Sequence, residues 1–153
     1  MSLEIGKPAP DFTLRDQNGQ DVTLSSFRGE KNVVILFYPF TFTGVCLGEL
    51  CTIRDSLPTF VNDDTITLAI SCDTPFAQKV WSEQEGYGFP VLSDFWPHGA
   101  TAKAYGIFNE DRGVALRGTY IVNKEGNLVW QVEHAIGDAR DATEYEKVLK
   151  TLA

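Results

Sequence analysis

Three thiols, Cys46, Cys51 and Cys72, are the side chains best suited to chemistry in this sequence. Their number is odd, their spacing matches no zinc pattern, and only His98 and His134 are available beside them, so a four-ligand metal centre is poorly supported. In a reducing compartment such cysteines are either buried or chemically active. Cys46 has the position for activity. It follows the apolar run Val33 to Tyr38 across a loop that begins at Pro39, and it opens a helical stretch; open α/β sheets present ligand sites where strands end. First-turn amides and the positive end of a helix dipole stabilise an anion, which can lower a cysteine pKa from about 8.5 into a range of roughly 3.5–7.5. Only a few per cent of an ordinary thiol is ionised near pH 7, so such a shift multiplies the reactive fraction by about ten or more. The competing reading is a small core residue on an apolar stripe. His134 and Cys46 as base and nucleophile would make a hydrolase, but nothing in their spacing supports the pair.

The elements that must position Cys46 follow an α/β pattern. Asn18-Gly19 between Phe12-Thr13-Leu14 and Val22-Thr23-Leu24 predicts an N-terminal hairpin, because Asn-Gly accepts the positive φ of tight turns. Val33 to Tyr38 lacks polar alternation, as in a strand covered on both faces. A helix is expected over 45–60, with Pro58 marking a kink or early end. At about 100° per residue, Leu50, Ile53 and Leu57 fall within roughly 40° of Cys46 and form one stripe with it. Further on, the sequence predicts a strand over 65–71 and a helix over 76–85, capped by Thr74-Pro75 and stopped at Gly86. A strand over 89–92, a short helix over 100–105, a hairpin of 117–122 with 127–132, and a last helix over 141–152 complete the chain. These expectations describe an α/β fold with a mixed central sheet flanked by helices and an N-terminal hairpin extension.

With 153 residues, one domain is expected, and it can bury a core without disulfide staples or metal. Its 13 Lys plus Arg against 21 Asp plus Glu give a net charge of −8, which argues against a nucleic-acid partner. The start, Met1 to Lys7, does not read as a secretory signal, and the run Val33 to Tyr38 is far shorter than the roughly 20 residues of a membrane helix. A soluble cytoplasmic protein with no membrane partner is the expectation. Neither a phosphate-binding G-x-x-x-x-G-K-[ST] or G-x-G-x-x-G loop nor a G-x-S-x-G nucleophile elbow occurs. Trp81, Trp96 and Trp130 read as packing or interface residues rather than a cofactor platform, and His98 and His134 as structural or exposed.

The segment Pro39-Phe40-Thr41-Phe42-Thr43-Gly44-Val45-Cys46 has the spacing Pro-x-x-x-Thr-x-x-Cys, which resembles the active-site signature of the peroxiredoxins. Ala9-Pro10-Asp11-Phe12-Thr13-Leu14, Phe27-Arg28-Gly29, Glu49, Phe89-Pro90-Val91-Leu92-Ser93-Asp94 and Arg117-Gly118-Thr119-Tyr120-Ile121-Val122 also fall where that family has similar residues. Coverage runs from Ile5 to Leu149, and the stretch Ser93 to Ala100 looks most like the actinobacterial alkyl hydroperoxide reductase E type. The resemblance implies a thioredoxin-like fold in which Cys46 attacks a peroxide and becomes a sulfenic acid, with no haem, flavin or metal cofactor. It further implies that Thr43 offers a hydroxyl to the thiolate and the peroxide, that Arg117 supplies fixed positive donors, and that Pro39 shields the pocket from water. Glu49, one turn beyond Cys46, is expected to orient an arginine. Taken singly, Thr43 reads as a helix cap, Arg117 as a surface ion pair and Glu49 as an acid of the helix's first turn.

The expected substrates are hydrogen peroxide, alkyl hydroperoxides or peroxynitrite, and a homodimer is expected from the family and weakly from the three tryptophans. The resembled type draws on an external thiol, with mycothiol and a mycoredoxin, or a thioredoxin, as the reductant. Cys51 departs from that type: its five-residue offset from Cys46 is the spacing of the Q-type, or bacterioferritin-comigratory, peroxiredoxins, which makes it the candidate resolving cysteine. On an intact helix this offset separates the Cα atoms by roughly 8.6 Å, beyond the ~7 Å limit for a disulfide, so resolution by Cys51 requires local unwinding. The alternatives are resolution by an external thiol alone, a redox-sensing interaction module, and a thiol-disulfide oxidoreductase, for which a Cys-x-x-Cys is missing.

Overall fold

The computed structural model describes residues 3–137 and 140–152. The N-terminal hairpin pairs β1 (Thr13–Arg15) with β2 (Asp21–Thr23) in antiparallel register around the Asn18-Gly19 turn, where Gly19 takes a φ of 77°. A 3₁₀ turn over Leu24–Phe27 then leads to β3 (Asn32–Phe37), every residue of which is buried. β3 is an interior strand of a seven-stranded mixed sheet. On one side it pairs in parallel with β4 (Thr65–Ser71), which pairs in parallel with β5 (Val91–Ser93). On the other it runs antiparallel to β8 (Arg117–Val122), which pairs with β9 (Leu128–His134). The hairpin joins this sheet through a single antiparallel pair between β1 and β5, giving the order β2-β1-β5-β4-β3-β8-β9.

Alternate residues of β3 and the Tyr38 that follows it feed two cores. Val33, Ile35 and Phe37 pack with Phe12, Tyr105 and Tyr120 on one face; Val34, Leu36 and Tyr38 pack with Cys46, Leu50, Ile53, Trp81 and Tyr145 on the other. The helices of the second face are α1 (Gly44–Asp55), α3 (Pro75–Glu85) and α5 (Ala142–Leu152). α4 (Ala100–Ala104) lies against the first core through Ala102.

One helix is divided where a single run over 45–60 was expected. α1 ends at Asp55, Ser56 leaves helical geometry at ψ 31°, and a separate turn α2 (Leu57–Phe60) carries Pro58 in its first positions. Proline has no N–H to donate and its ring collides with the carbonyl four residues earlier, so the break falls upstream and the proline starts the next turn. α3 begins as the Thr74-Pro75 pair dictates: the Thr74 hydroxyl accepts from the Ala77 amide at 3.3 Å, and Gly86 closes the helix at φ 67°. A small hairpin of β6 (Phe108–Asn109) and β7 (Val114–Ala115), which the sequence reading did not anticipate, occupies the loop before β8. Among the described residues, no helix is long and apolar enough to cross a membrane.

Candidate active site

β3 ends below Pro39, which is buried, and the chain turns through Phe40 to Thr43 before α1 begins. Phe42 sits in this turn with a φ of 67°, a left-handed conformation that costs a residue bearing a Cβ about 1–2 kcal/mol. Its ring leans on Trp81 of α3, with centroids 6.1 Å apart. Thr43 holds the N-cap position with an extended backbone, and its carbonyl accepts the amide of Leu47 at 2.8 Å. Its hydroxyl makes no cap bond; it donates to the Phe40 carbonyl at 2.8 Å. Thr43 is therefore not a side-chain cap, and the turn's own backbone holds its oxygen.

Cys46 is the third residue of α1 and is completely buried, beside Tyr38 and on one stripe with Leu50 and Ile53. Burial of Leu50 and Ile53 contributes about 1.5–3 kcal/mol each and fixes the rotation of α1 on the sheet. That rotation turns Cys46, in the first turn of the helix, inward to the core. Burial pushes the phenol of Tyr38 well above its ordinary range, which keeps it a neutral hydroxyl beside Cys46.

One turn along α1, Glu49 is buried and faces two arginines. Arg117, the first residue of β8, is only 2% exposed, so it is not a surface ion pair. Its Nε donates to the Ile136 carbonyl at 2.6 Å and its Nη1 donates to Glu49 Oε1. Arg140, which precedes α5, donates to Glu49 from its backbone N–H and Nε, each 2.8 Å from Oε2, and from Nη2 at 3.0 Å from Oε1. Burial pushes the Glu49 carboxyl up, but the hydrogen bonds and charge of Arg140, joined by the charge of Arg117, outweigh it and hold the group below the usual carboxylate range. Glu49 thus lies beyond the first turn of α1, and its charge is spent on the arginines rather than on the helix dipole. Sequence reasoning missed Arg140: it belongs to no motif, and its only local signal is a position just before the last helix.

The other thiols differ. Cys51 is half-buried on α1, with its Sγ 3.9 Å from the Tyr87 hydroxyl. Cys72 is buried past the end of β4, where burial, with the charge of Asp94 adding, pushes its thiol up to about 12. Trp81 is packed in the second core, Trp96 is exposed, and Trp130 stacks edge-on against Tyr145. His98 bonds the Phe95 and Gly113 carbonyls, and His134 ends β9 opposite Arg117. Among the described residues, no group of three or more His, Cys, Asp or Glu side chains is placed to hold a metal ion. What the arrangement offers is a shielded thiol at a helix start, with a buried guanidinium held through the next turn of the same helix.

Residues 5–131 match the AhpC/TSA family. The chain is 51% identical over 150 residues to alkyl hydroperoxide reductase E of Mycobacterium tuberculosis, covering 98% of each chain. Among solved structures, it superposes with a TM-score of 0.87 on the peroxidoxin BcpB of Mycobacterium tuberculosis, at 25% identity over 99% of each chain. It also superposes with a TM-score of 0.87 on AhpC of Enterococcus faecalis, at 27% identity over 99% of this chain and 92% of that one. The fold is accordingly thioredoxin-like, with the hairpin extension at its N-terminus. The chain belongs to the AhpC/TSA family, the peroxiredoxins, and is a thiol-dependent peroxidase.

Proposed function

We propose that Cys46 is the peroxidatic nucleophile of this enzyme and that hydrogen peroxide, alkyl hydroperoxides and peroxynitrite are its substrates. The observation that carries this reading is the placement of Cys46, fully buried at the third position of α1, one turn from the Glu49 that holds Arg117. The thiolate sulfur attacks the terminal peroxide oxygen and the O–O bond breaks; hydroxide or alkoxide takes up a proton and leaves as water or alcohol, and from peroxynitrite the leaving group is nitrite. Cys46 is left as a sulfenic acid, oxidised by two electrons. Negative charge builds on the departing oxygen, where the guanidinium of Arg117 offers its remaining N–H donors. Thr43 donates its proton to Phe40, so its lone pairs are what it can offer to a peroxide O–H. Pro39 and the apolar face around Cys46 exclude water. Glu49 orients Arg117 and does not touch the reacting atoms.

Cys51 resolves the sulfenic acid in this reading: its thiol condenses with it, a disulfide forms and water leaves. α1 is continuous from Gly44 to Asp55, so its first turns must unwind for the thiols to meet. An external thiol then reduces the disulfide, a mycothiol and mycoredoxin pair or a thioredoxin, as the similarity to the alkyl hydroperoxide reductase E type implies. The cytoplasm is the compartment that suits such a cycle. A homodimer fits the apolar surface. Phe76 and Trp96 are each 81% exposed and line a depression of about 450 Å³ with Phe95 and Leu14. Phe42, Val45 and Val80 are exposed as well, and aromatic side chains are enriched in protein–protein interfaces.

Peroxide treatment of the reduced protein, trapping with a sulfenic-acid reagent and peptide mass spectrometry test the central assignment. Adduct or disulfide at Cys46 supports it, and modification confined to Cys51 or Cys72 overturns it.

A further inference from the structure

The turn that leads into α1 contains a residue held against its own preference. Phe42 lies at φ 67°, and strain of this kind persists only where surrounding contacts over-determine it. The Phe42 ring leans on Trp81, and the preceding residue, Thr41, is held by Asp73, which follows β4. Its Oδ2 accepts the backbone N–H of Thr41 at 2.8 Å and the hydroxyl of Ser71 at 2.7 Å. Ser71, completely buried, in turn accepts from Gln78 Nε2 of α3 at 2.9 Å. The backbone carbonyl of Asp73 accepts from Ser93 Oγ at the end of β5, at 2.6 Å. Asp73 is thus fixed to β4, β5 and α3 before it reaches across to the turn. Thr41 is held a second time, with its Oγ 2.9 Å from the buried hydroxyl of Tyr38.

We propose that Asp73 is a positioning residue whose carboxylate clamps Thr41, keeps the strained Phe42 turn closed, and so holds the first turn of α1 wound around Cys46 in the form that reacts with peroxide. The proposal rests on the assignment of Cys46 as nucleophile. Its energetic logic has a direction: strain at Phe42 favours release of the turn, and the clamp opposes release. Without the clamp the turn relaxes, Thr43 leaves the N-cap, the first turn frays, and the buried Cys46 meets solvent. Two rates then move in opposite senses. Oxidation by a small peroxide, which needs the wound turn, falls; labelling of Cys46 by a bulky maleimide, which needs the open one, rises.

The test compares full-length reduced wild type, Asp73→Ala and Asp73→Asn. In Asp73→Ala, oxidation of Cys46 by hydrogen peroxide is expected to slow by about tenfold or more, the scale of a misplaced reacting group, while maleimide labelling accelerates. Asp73→Asn keeps an acceptor oxygen for the Thr41 amide and is expected to recover most of the lost oxidation rate. Should Asp73→Ala not fold, hydrogen exchange in the wild type decides: the Thr41 amide is expected to be protected, as is the Tyr38 amide bonded to Ile70. A folded Asp73→Ala with both rates within about twofold of wild type, a loss of oxidation without the gain in labelling, or a Thr41 amide that exchanges like an open loop overturns the clamp alone. Wild-type Cys46 left unoxidised by peroxide overturns the nucleophile assignment and the clamp together.

Discussion

Arg140 grips Glu49 at three points, with its backbone N–H and Nε each 2.8 Å from Oε2 and its Nη2 3.0 Å from Oε1. The same guanidinium reaches back to β8, where Nη1 lies 3.0 Å from the Gly118 carbonyl and 3.2 Å from Thr119 Oγ. This joins the segment before α5 to α1 and β8. Removing Arg140 leaves a buried carboxylate short of a partner, so Arg140→Ala is expected to lower stability by about 3–5 kcal/mol. Arg140→Lys should recover only part of that, since an ammonium cannot reproduce the two-pronged contact. Urea unfolding of both variants gives the comparison.

The depressed Glu49 carboxyl sets a pH dependence. A carboxylate whose native pKa lies below its unfolded value, near about 4.3, stabilises the fold fully above that pH. The contribution disappears as pH falls through the lower native value, because the folded state then gains its proton. Glu49→Gln should be less stable than wild type at neutral pH, and the gap should narrow on acidification. A gap that stays constant from neutral pH down to about pH 3 would show that Glu49 is not the group responsible.

For the chemical step, Cys46→Ser is expected to abolish peroxide consumption. Arg117→Ala should slow oxidation of Cys46 by about 10²-fold or more, the scale for removing one donor aimed at developing charge. Stopped-flow traces of a folded Arg117→Ala that overlay the wild type would take the guanidinium out of the reaction.

Resolution can be tuned separately. Gly48 lies between Cys46 and Cys51, and a Cβ built on it meets nothing within 4 Å, so alanine fits there. Alanine stabilises the helix by about 1 kcal/mol, which should retard unwinding and disulfide formation about fivefold. Gly48→Ala should therefore slow appearance of a Cys46–Cys51 linked peptide. Cys72, with its thiol pushed up to about 12, is expected to stay unmodified under the same treatment.

The exposed aromatic face predicts the behaviour of the assembly. Sedimentation of the wild type should give a dimer at micromolar concentration, and Phe76→Ser with Trp96→Ser should shift it toward monomer. A wild-type monomer across that range would mean that the face has another use.

The sequence by itself determined what depends on neighbours along the chain. An unbroken apolar run makes β3 a central strand, Thr74-Pro75 starts α3, Asn18-Gly19 makes the hairpin turn, and a strand end followed by a helix puts Cys46 among first-turn amides. Each is a short-range consequence of backbone sterics or side-chain periodicity, and is visible in a few residues. Tertiary structure decided the rest. Glu49 meets Arg117 across 68 positions and Arg140 across 91, and Thr41 meets Asp73 across 32. Such pairings are selected by burial: once packing removes water, a carboxylate must find donors among whatever the folded chain brings near. No spacing announces them. Local order along the chain therefore places Cys46 at a helix start, and the sheet, by bringing β3, β4 and β8 side by side, carries Arg117 to Glu49 and Asp73 to Thr41.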